Sequence, residues 1–251
     1  MPFDLNLALA VAAVFVAGIS RGFIGFGAGL IIIPALAVLY GPVESVLIMP
    51  LIEIPAMAFL LPTAVRHANW RSVAPLGIAS MLTLPFGALL LAYIDAEDMR
   101  RFIAILVISA GIMLGSGWRY SRTPTLAITI PVGLVSGFLS GAANIGGPPV
   151  VVFLMAGKNT AQEVRAGIMA YFSFSGVFRM IAYSVLGLLT MPLFWMSAVL
   201  VLPYMAGILI GSRAFSGISE KLFRRTVLVV VVTMGIVALL RLRTALRLRQ
   251  R

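Results

Sequence analysis

Residues 140–150 read "SGAANIGGPPV", and they interrupt a segment that otherwise has the character of a membrane helix. "LAITIPVGLVSGFL" precedes them and "VVFLMAG" follows. A helix in lipid must satisfy its own backbone hydrogen bonds. A break is tolerated only where protein or a water-filled cavity surrounds it. Proline suits the first turn of a helix, where its missing N–H costs nothing. The interruption at 141–147 is therefore expected to end one helix and begin a half-helix near Pro148. Free N–H groups at such a start, with the helix dipole behind them, attract anions.

Composition sets the frame for this break. Of 251 residues, 61% are hydrophobic and 11% charged, with a mean hydropathy of +1.08. That charged fraction is less than half the level usual in soluble domains. The expected fold is an all-α polytopic membrane protein. A span needs about 20 apolar residues, and apolar runs fall near 5–40, 43–64, 73–93, 102–120, 125–157, 167–188, 192–214 and 226–241. This predicts about eight transmembrane helices. The first and fifth runs are too long for one straight span, and both carry Gly-rich interruptions. The opening "MPFDLNLALAVAAVFVAG" lacks a basic n-region and a cleavage site, so it reads as the first span.

The same composition excludes several functions. The chain has no cysteine, which removes disulfides and thiol chemistry. His67 is the single histidine, lies in the loop "VRHANW", and has no companion at metal-ligand spacing, so no metal is expected. "GFGAG" sits in a membrane helix, which argues against a dinucleotide fingerprint, and no cofactor is expected. The net charge of +11 does not point to nucleic acid. Five arginines lie in the tail "RLRTALRLRQR", which reads as a cytoplasmic end facing anionic membrane lipids. An enzyme would need a nucleophile with a base or clustered acids. The few acids and the loop histidine argue against one.

Loop charges predict orientation. "VRHANWRS" (65–72) and "WRYSRT" (118–123) are basic without acids, whereas "DAEDMRR" (95–101), "KNTAQEVR" (158–165) and "SEKLFRR" (219–225) mix signs. The positive-inside rule then gives eight spans with both termini cytoplasmic and the mixed loops outside. The halves also repeat. "GFIGFGAGLIIIP" runs from Gly22 to Pro34, and "GFLSGAANIGGPP" from Gly137 to Pro149. "IDAEDMRRFIAILVISAGI" likewise matches "ISEKLFRRTVLVVVVTMGI". The expectation is two four-helix repeats, 1–123 and 124–251, each with a broken first helix. Ten spans with inverted repeats is the second arrangement. Corresponding Gly/Pro-interrupted segments point to a transporter's binding site at the repeat interface.

These two Gly-rich motifs resemble those of the sulfite exporter (TauE/SafE) family of bacterial membrane transporters, and the resemblance covers nearly the whole chain. The family pattern is roughly G-x-x-G-x-G-G-G with a proline five residues on. The first copy keeps Gly22, Gly25, Gly27, Gly29 and Pro34, with Ala28 in place of one glycine. In the second, Ser140, Ala142, Ala143 and Asn144 replace glycines, and Gly146, Gly147 and Pro148 are shifted. The resemblance implies export of a small anion (sulfite, a sulfonate or a related sulfur-containing or organic acid) across the bacterial inner membrane.

Candidate site residues follow from position and charge. The substrate-binding set is Arg21, Gly25, Gly27, Gly29, Asn144, Gly146, Gly147 and Arg179. Arginine presents a planar fork matched to oxyanions. For the glycines the alternative is close packing, since Gly18–Gly22 and Gly133–Gly137–Gly141 have GxxxG spacing. Glu53 lies ten residues into its run, near mid-bilayer by helical rise. An acid there is a functional candidate by default, and proton coupling is the role it suits. Its alternative is a structural partner for a buried arginine. Protons, a small anion and lipid are the expected partners. The sequence does not choose between carrier and channel, or between monomer and homodimer.

Overall fold

The computed structural model describes residues 5–115, 125–155 and 160–215. Among them every regular element is a helix: α1 Leu5–Ile24, α2 Ala28–Leu39, α3 Pro42–His67, α4 Trp70–Tyr93, α5 Ala96–Gly115, α6 Leu126–Ala143, α7 Gly147–Met155, α8 Ala161–Val185 and α9 Met191–Phe215. Six of these (α1, α3, α4, α6, α8 and α9) are long and apolar enough to cross a membrane. Each apolar run of the described sequence coincides with a helix. The eighth run, "WRYSRT", "SEKLFRR" and the basic tail lie outside the described residues.

Both long runs split where the glycines stand. α1 stops at Ile24, and Gly25 (φ +91°) and Gly27 (φ +95°) take left-handed backbone before α2 begins. α6 ends differently. Asn144 adopts φ +54°, its N–H donates to the Ser140 carbonyl at 3.1 Å, and the Ile145 N–H donates to the Leu139 carbonyl at 3.4 Å. The bond from Asn144 back to Ser140 is that of the simple αL cap, with Asn in the left-handed position that Gly usually takes. α7 then starts at Gly147, with Pro148 and Pro149 in its first turn, as the proline pair predicts.

The remaining glycines close the helix packing. A Cβ at Gly22 would strike the Ile208 carbonyl, so α1 lies backbone to backbone on α9. A Cβ at Gly133 would sit 2.6 Å from the Leu76 carbonyl, and one at Gly137 would strike the Ser80 carbonyl, so α6 lies equally close on α4. The GxxxG glycines are thus packing residues, as small residues between membrane helices commonly are. The order long helix, break, short helix, two long helices occurs over 5–93 and again over 126–215. The two stretches interleave, because α1 packs on α9 and α6 on α4 while α3 crosses α8. At that crossing a Cβ at Gly176 would strike Met57 Cε. Ile78, Leu82 and Phe86 on α4 and Val199, Leu202 and Ile210 on α9 are exposed, which suits faces turned to lipid.

Charge counting misplaced two of the mixed-sign segments. Of "DAEDMRR", expected as an outward loop, all but Asp95 lies in α5, with Glu97 and Asp98 in its first turn. "KNTAQEVR" was expected to be an outward loop, but residues 161–165 form the first turn of α8 behind a Thr160/Glu163 capping box. The mixed charges there serve the helix start, with the acid at the positive end of the dipole.

Candidate functional site

The two breaks meet. A Cβ at Gly29 would lie 2.7 Å from the Asn144 carbonyl, so the start of α2 rests on the end of α6. Around this contact lies a pocket lined by Arg21, Phe26, Gly27, Ala28, Gly29 and Leu30 from the first break, and by Asn144, Ile145, Gly147 and Pro148 from the second. Met49 and Glu53 of α3 and Phe172 of α8 complete it. Its free volume is about 20 Å³, room for one or two waters.

Six sequence-derived candidates therefore converge: Arg21, Gly27, Gly29, Glu53, Asn144 and Gly147. Three do not line the pocket. Gly25 turns the chain at the end of α1 and offers its carbonyl to Arg21 Nη1. Gly146 lies against the Ser136 carbonyl and the Ser140 hydroxyl. Arg179 is completely buried behind Glu53.

Charge is concentrated on Glu53, which is 3% exposed. Arg21 Nε approaches Oε1 at 3.3 Å and Arg179 Nη2 approaches Oε2 at 3.5 Å. The Tyr204 hydroxyl of α9 donates to Oε1 at 3.4 Å. One carboxylate between two guanidiniums leaves a net positive charge. Charge-assisted hydrogen bonds are normally about 2.7–2.9 Å, so both pairs are stretched. Arg21 Nε, Arg179 Nε and Arg179 Nη1 make no hydrogen bond, and neither does Asn144 Nδ2. The Arg21 guanidinium also stands 4.8 Å above the centre of the Phe172 ring, a favourable stack. The site thus offers cationic and amide donors with unused capacity.

Backbone adds more. Gly27 caps α2 without a side-chain partner for the first N–H groups, and residues 27–30 all face the pocket. The other half-helix contributes less than expected. Pro148 and Pro149 carry no N–H, so anion-directed backbone donors come chiefly from α2.

Four residues escape sequence reasoning. Phe172 and Met49 are ordinary apolar residues in apolar helices and carry no signal. Tyr204 carried one: a tyrosine deep in a span needs a hydrogen-bond partner. Arg165, assigned to a loop by charge counting, is buried. It donates from Nε to the Phe23 carbonyl at 3.1 Å and from Nη2 to the Gly22 carbonyl at 2.5 Å. It also lies 4.2 Å over the Phe215 ring. Arg165 therefore satisfies the free carbonyls of α1 where that helix breaks. Ser173 and Ser175 bond carbonyls of their own helix, Met169 at 2.9 Å and Phe172 at 3.4 Å.

Comparison with known proteins identifies the family. A family profile described as sulfite exporter TauE/SafE matches residues 10–238. A probable sulfite/organosulfonate exporter TauE of Cupriavidus necator is 24% identical over 219 residues, covering 84% of this chain and 85% of that protein. A probable membrane transporter protein of Methanocaldococcus jannaschii is 25% identical over 169 residues, covering 61% of this chain and 63% of that protein. No solved structure matches.

Proposed function

The chain belongs to the sulfite exporter TauE/SafE family, a family of membrane transporters and not of enzymes, and on that premise we propose that it is a secondary carrier for a small oxyanion. Sulfite or an organosulfonate is the substrate class that the Cupriavidus relative's name suggests. Outward movement across a bacterial inner membrane, with both termini cytoplasmic and two repeats divided near residue 124, completes the reading. The observation that carries it is the convergence of Arg21, Glu53 and Asn144 on one pocket where two helix breaks meet. A volume that admits one or two waters supports a carrier over an open channel.

In this reading the anion sits between Arg21, Asn144 and the first N–H groups of α2. Arg179 reinforces the charge from behind, and Gly25 and Gly146 shape the breaks without contact. Glu53 and the anion compete for the same guanidiniums. A proton on Glu53 removes the competitor, so proton and anion load together and transport is proton-linked. The groups facing Glu53 are Arg21 from α1, Arg179 from α8 and Tyr204 from α9. The stretched pairs support such an exchange, because little hydrogen-bond energy is surrendered when the carboxylate lets go.

The test is flux in proteoliposomes for sulfite, sulfonates, thiosulfate, sulfate and carboxylates, with and without a pH gradient. Saturable flux of one sulfur oxyanion, accelerated by the gradient, is expected. Flux that does not saturate would make the protein a channel. No flux of any of these anions would overturn the proposal.

A further inference from the structure

The pocket has two kinds of wall. Arg21, Glu53, Asn144 and the first turn of α2 are its polar part, while Phe26, Leu30, Met49, Ile145 and Phe172 are large and apolar. Phe172 differs from the other four in what it touches. Its ring lies under the Arg21 guanidinium at the end of α1, 4.8 Å from the ring centre. It also meets the second break, since a Cβ at Gly147 would stand 2.8 Å from its Cζ. The side chain is buried and held from behind. The Tyr171 ring packs edge-on against it at 5.4 Å, and the Tyr171 phenol is 2.8 Å from the Ser80 hydroxyl of α4.

Register gives this position meaning. α3 begins 14 residues after the start of α2, and α8 begins 14 residues after the start of α7. Glu53 is the twelfth residue of α3 and Phe172 the twelfth of α8, and both line the pocket. The two crossing helices thus bring an acid and a ring to the same cation. Glu53 faces Arg21 Nε, and the Gly25 carbonyl accepts from Nη1. A guanidinium is planar, with all its N–H groups in that plane, so with one face on the ring it meets an oxyanion edge-on.

Space decides what else is admitted. The free volume is about 20 Å³, enough for one or two waters. A bare oxyanion head uses the donors of Arg21 and Asn144, whereas a group attached to the sulfur has only the apolar wall to press on. Met49 can yield to it, because a thioether chain is flexible and adaptable. A phenyl ring moves only as one piece, and this one rests on both Arg21 and Gly147.

We propose that Phe172 is the specificity-determining residue of the pocket. Its ring sets Arg21 for a bare oxyanion head and fills the space that a bulky substituent on the sulfur would need. The carrier therefore takes sulfite and turns away the larger organosulfonates. The inference rests on the transport reading and narrows its substrate class.

Sulfite, propanesulfonate and benzenesulfonate are compared as substrates in proteoliposomes for wild type, Phe172→Ala and Phe172→Leu. Wild type should carry sulfite and neither sulfonate. In both variants the sulfite KM should rise about tenfold, as the stack on a desolvated cation is lost. Phe172→Ala leaves an apolar hole of ring size, and such holes take apolar guests, so benzenesulfonate should now be carried and should compete with sulfite. Phe172→Leu opens a smaller hole and should admit propanesulfonate, which keeps the test decisive if the alanine variant does not fold. Both variants lose packing and melt lower whatever the ring selects. The deciding readout is the ratio of sulfonate KM to sulfite KM, which a purely structural role leaves unchanged. Wild type that carries benzenesulfonate as readily as sulfite, or folded variants that reject both sulfonates as wild type does, would overturn the inference. Wild type that carries organosulfonates but not sulfite would overturn it and leave the transport reading standing. Wild type that moves no anion at all would bring down both.

Discussion

Replacing Glu53 with glutamine removes one negative charge from between two buried cations at nearly constant volume. Taking away one partner of a buried ion pair costs about 3–5 kcal/mol, because the other charge is left uncompensated. The contacts here are 3.3 and 3.5 Å, longer than good charge-assisted bonds, and the glutamine oxygen can still accept from Arg21 or Tyr204. The lower end, about 3 kcal/mol, therefore applies. At about 2–4 °C per kcal/mol for a chain of this size, the melting temperature should fall by roughly 6–12 °C. An oxyanion in the pocket replaces the missing charge. At a hundred times its Kd it returns about 2.7 kcal/mol, nearly the whole loss. Wild type gains less from the same anion, since Glu53 must first yield the guanidiniums. Scanning fluorimetry of the purified protein, with and without sulfite, reads both effects. In liposomes the variant should lose gradient-driven flux and keep anion-for-anion exchange. A Glu53→Gln protein that melts like wild type, or that sulfite stabilises no more than wild type, would refute the competition between carboxylate and anion.

Further outcomes follow from the same geometry. Gly147→Ala places a Cβ 2.8 Å from the Phe172 ring, which can shift. Sulfite KM should rise several-fold while the melting temperature changes little. Gly22→Ala meets the Ile208 backbone instead and should lower the melting temperature, separating packing glycines from pocket glycines. Arg165→Ala removes the guanidinium from the Gly22 and Phe23 carbonyls, leaving the Ser212 hydroxyl on Gly22, and should cost about 1–3 kcal/mol, read by thermal melting. Topology is open to cysteine labelling against a background free of native cysteine. In intact cells, cysteines replacing Ser72 and Ser121 should resist an impermeant reagent, and one replacing Asn159 should react. Labelling at Ser72 and Ser121 from outside would favour ten spans with inverted repeats.

Much of this architecture is legible in the sequence, for identifiable reasons. Hydropathy over a window of one span finds the six long helices α1, α3, α4, α6, α8 and α9 because lipid rewards length and apolarity alone. The breaks are legible because glycine and proline act on the backbone itself, whatever surrounds them. Glu53 stands out because an acid in mid-span is costly. Partners are another matter. That α1 lies on α9 and α6 on α4 depends on which carbonyl each glycine admits, and a single sequence carries no pairing information. Arg165 was hidden by its neighbours Lys158 and Glu163, which made the stretch look like an exposed loop.

The account stands on an anion bound between the two helix breaks. Selenite, the selenium counterpart of sulfite, makes this visible. Crystals grown or soaked with it and measured at the selenium absorption edge should show an anomalous peak within hydrogen-bonding distance of Arg21 and Asn144, beside the first turn of α2. A pocket without a peak while selenite occupies another place in the molecule, or a peak that survives Arg21→Ala unchanged, would contradict it.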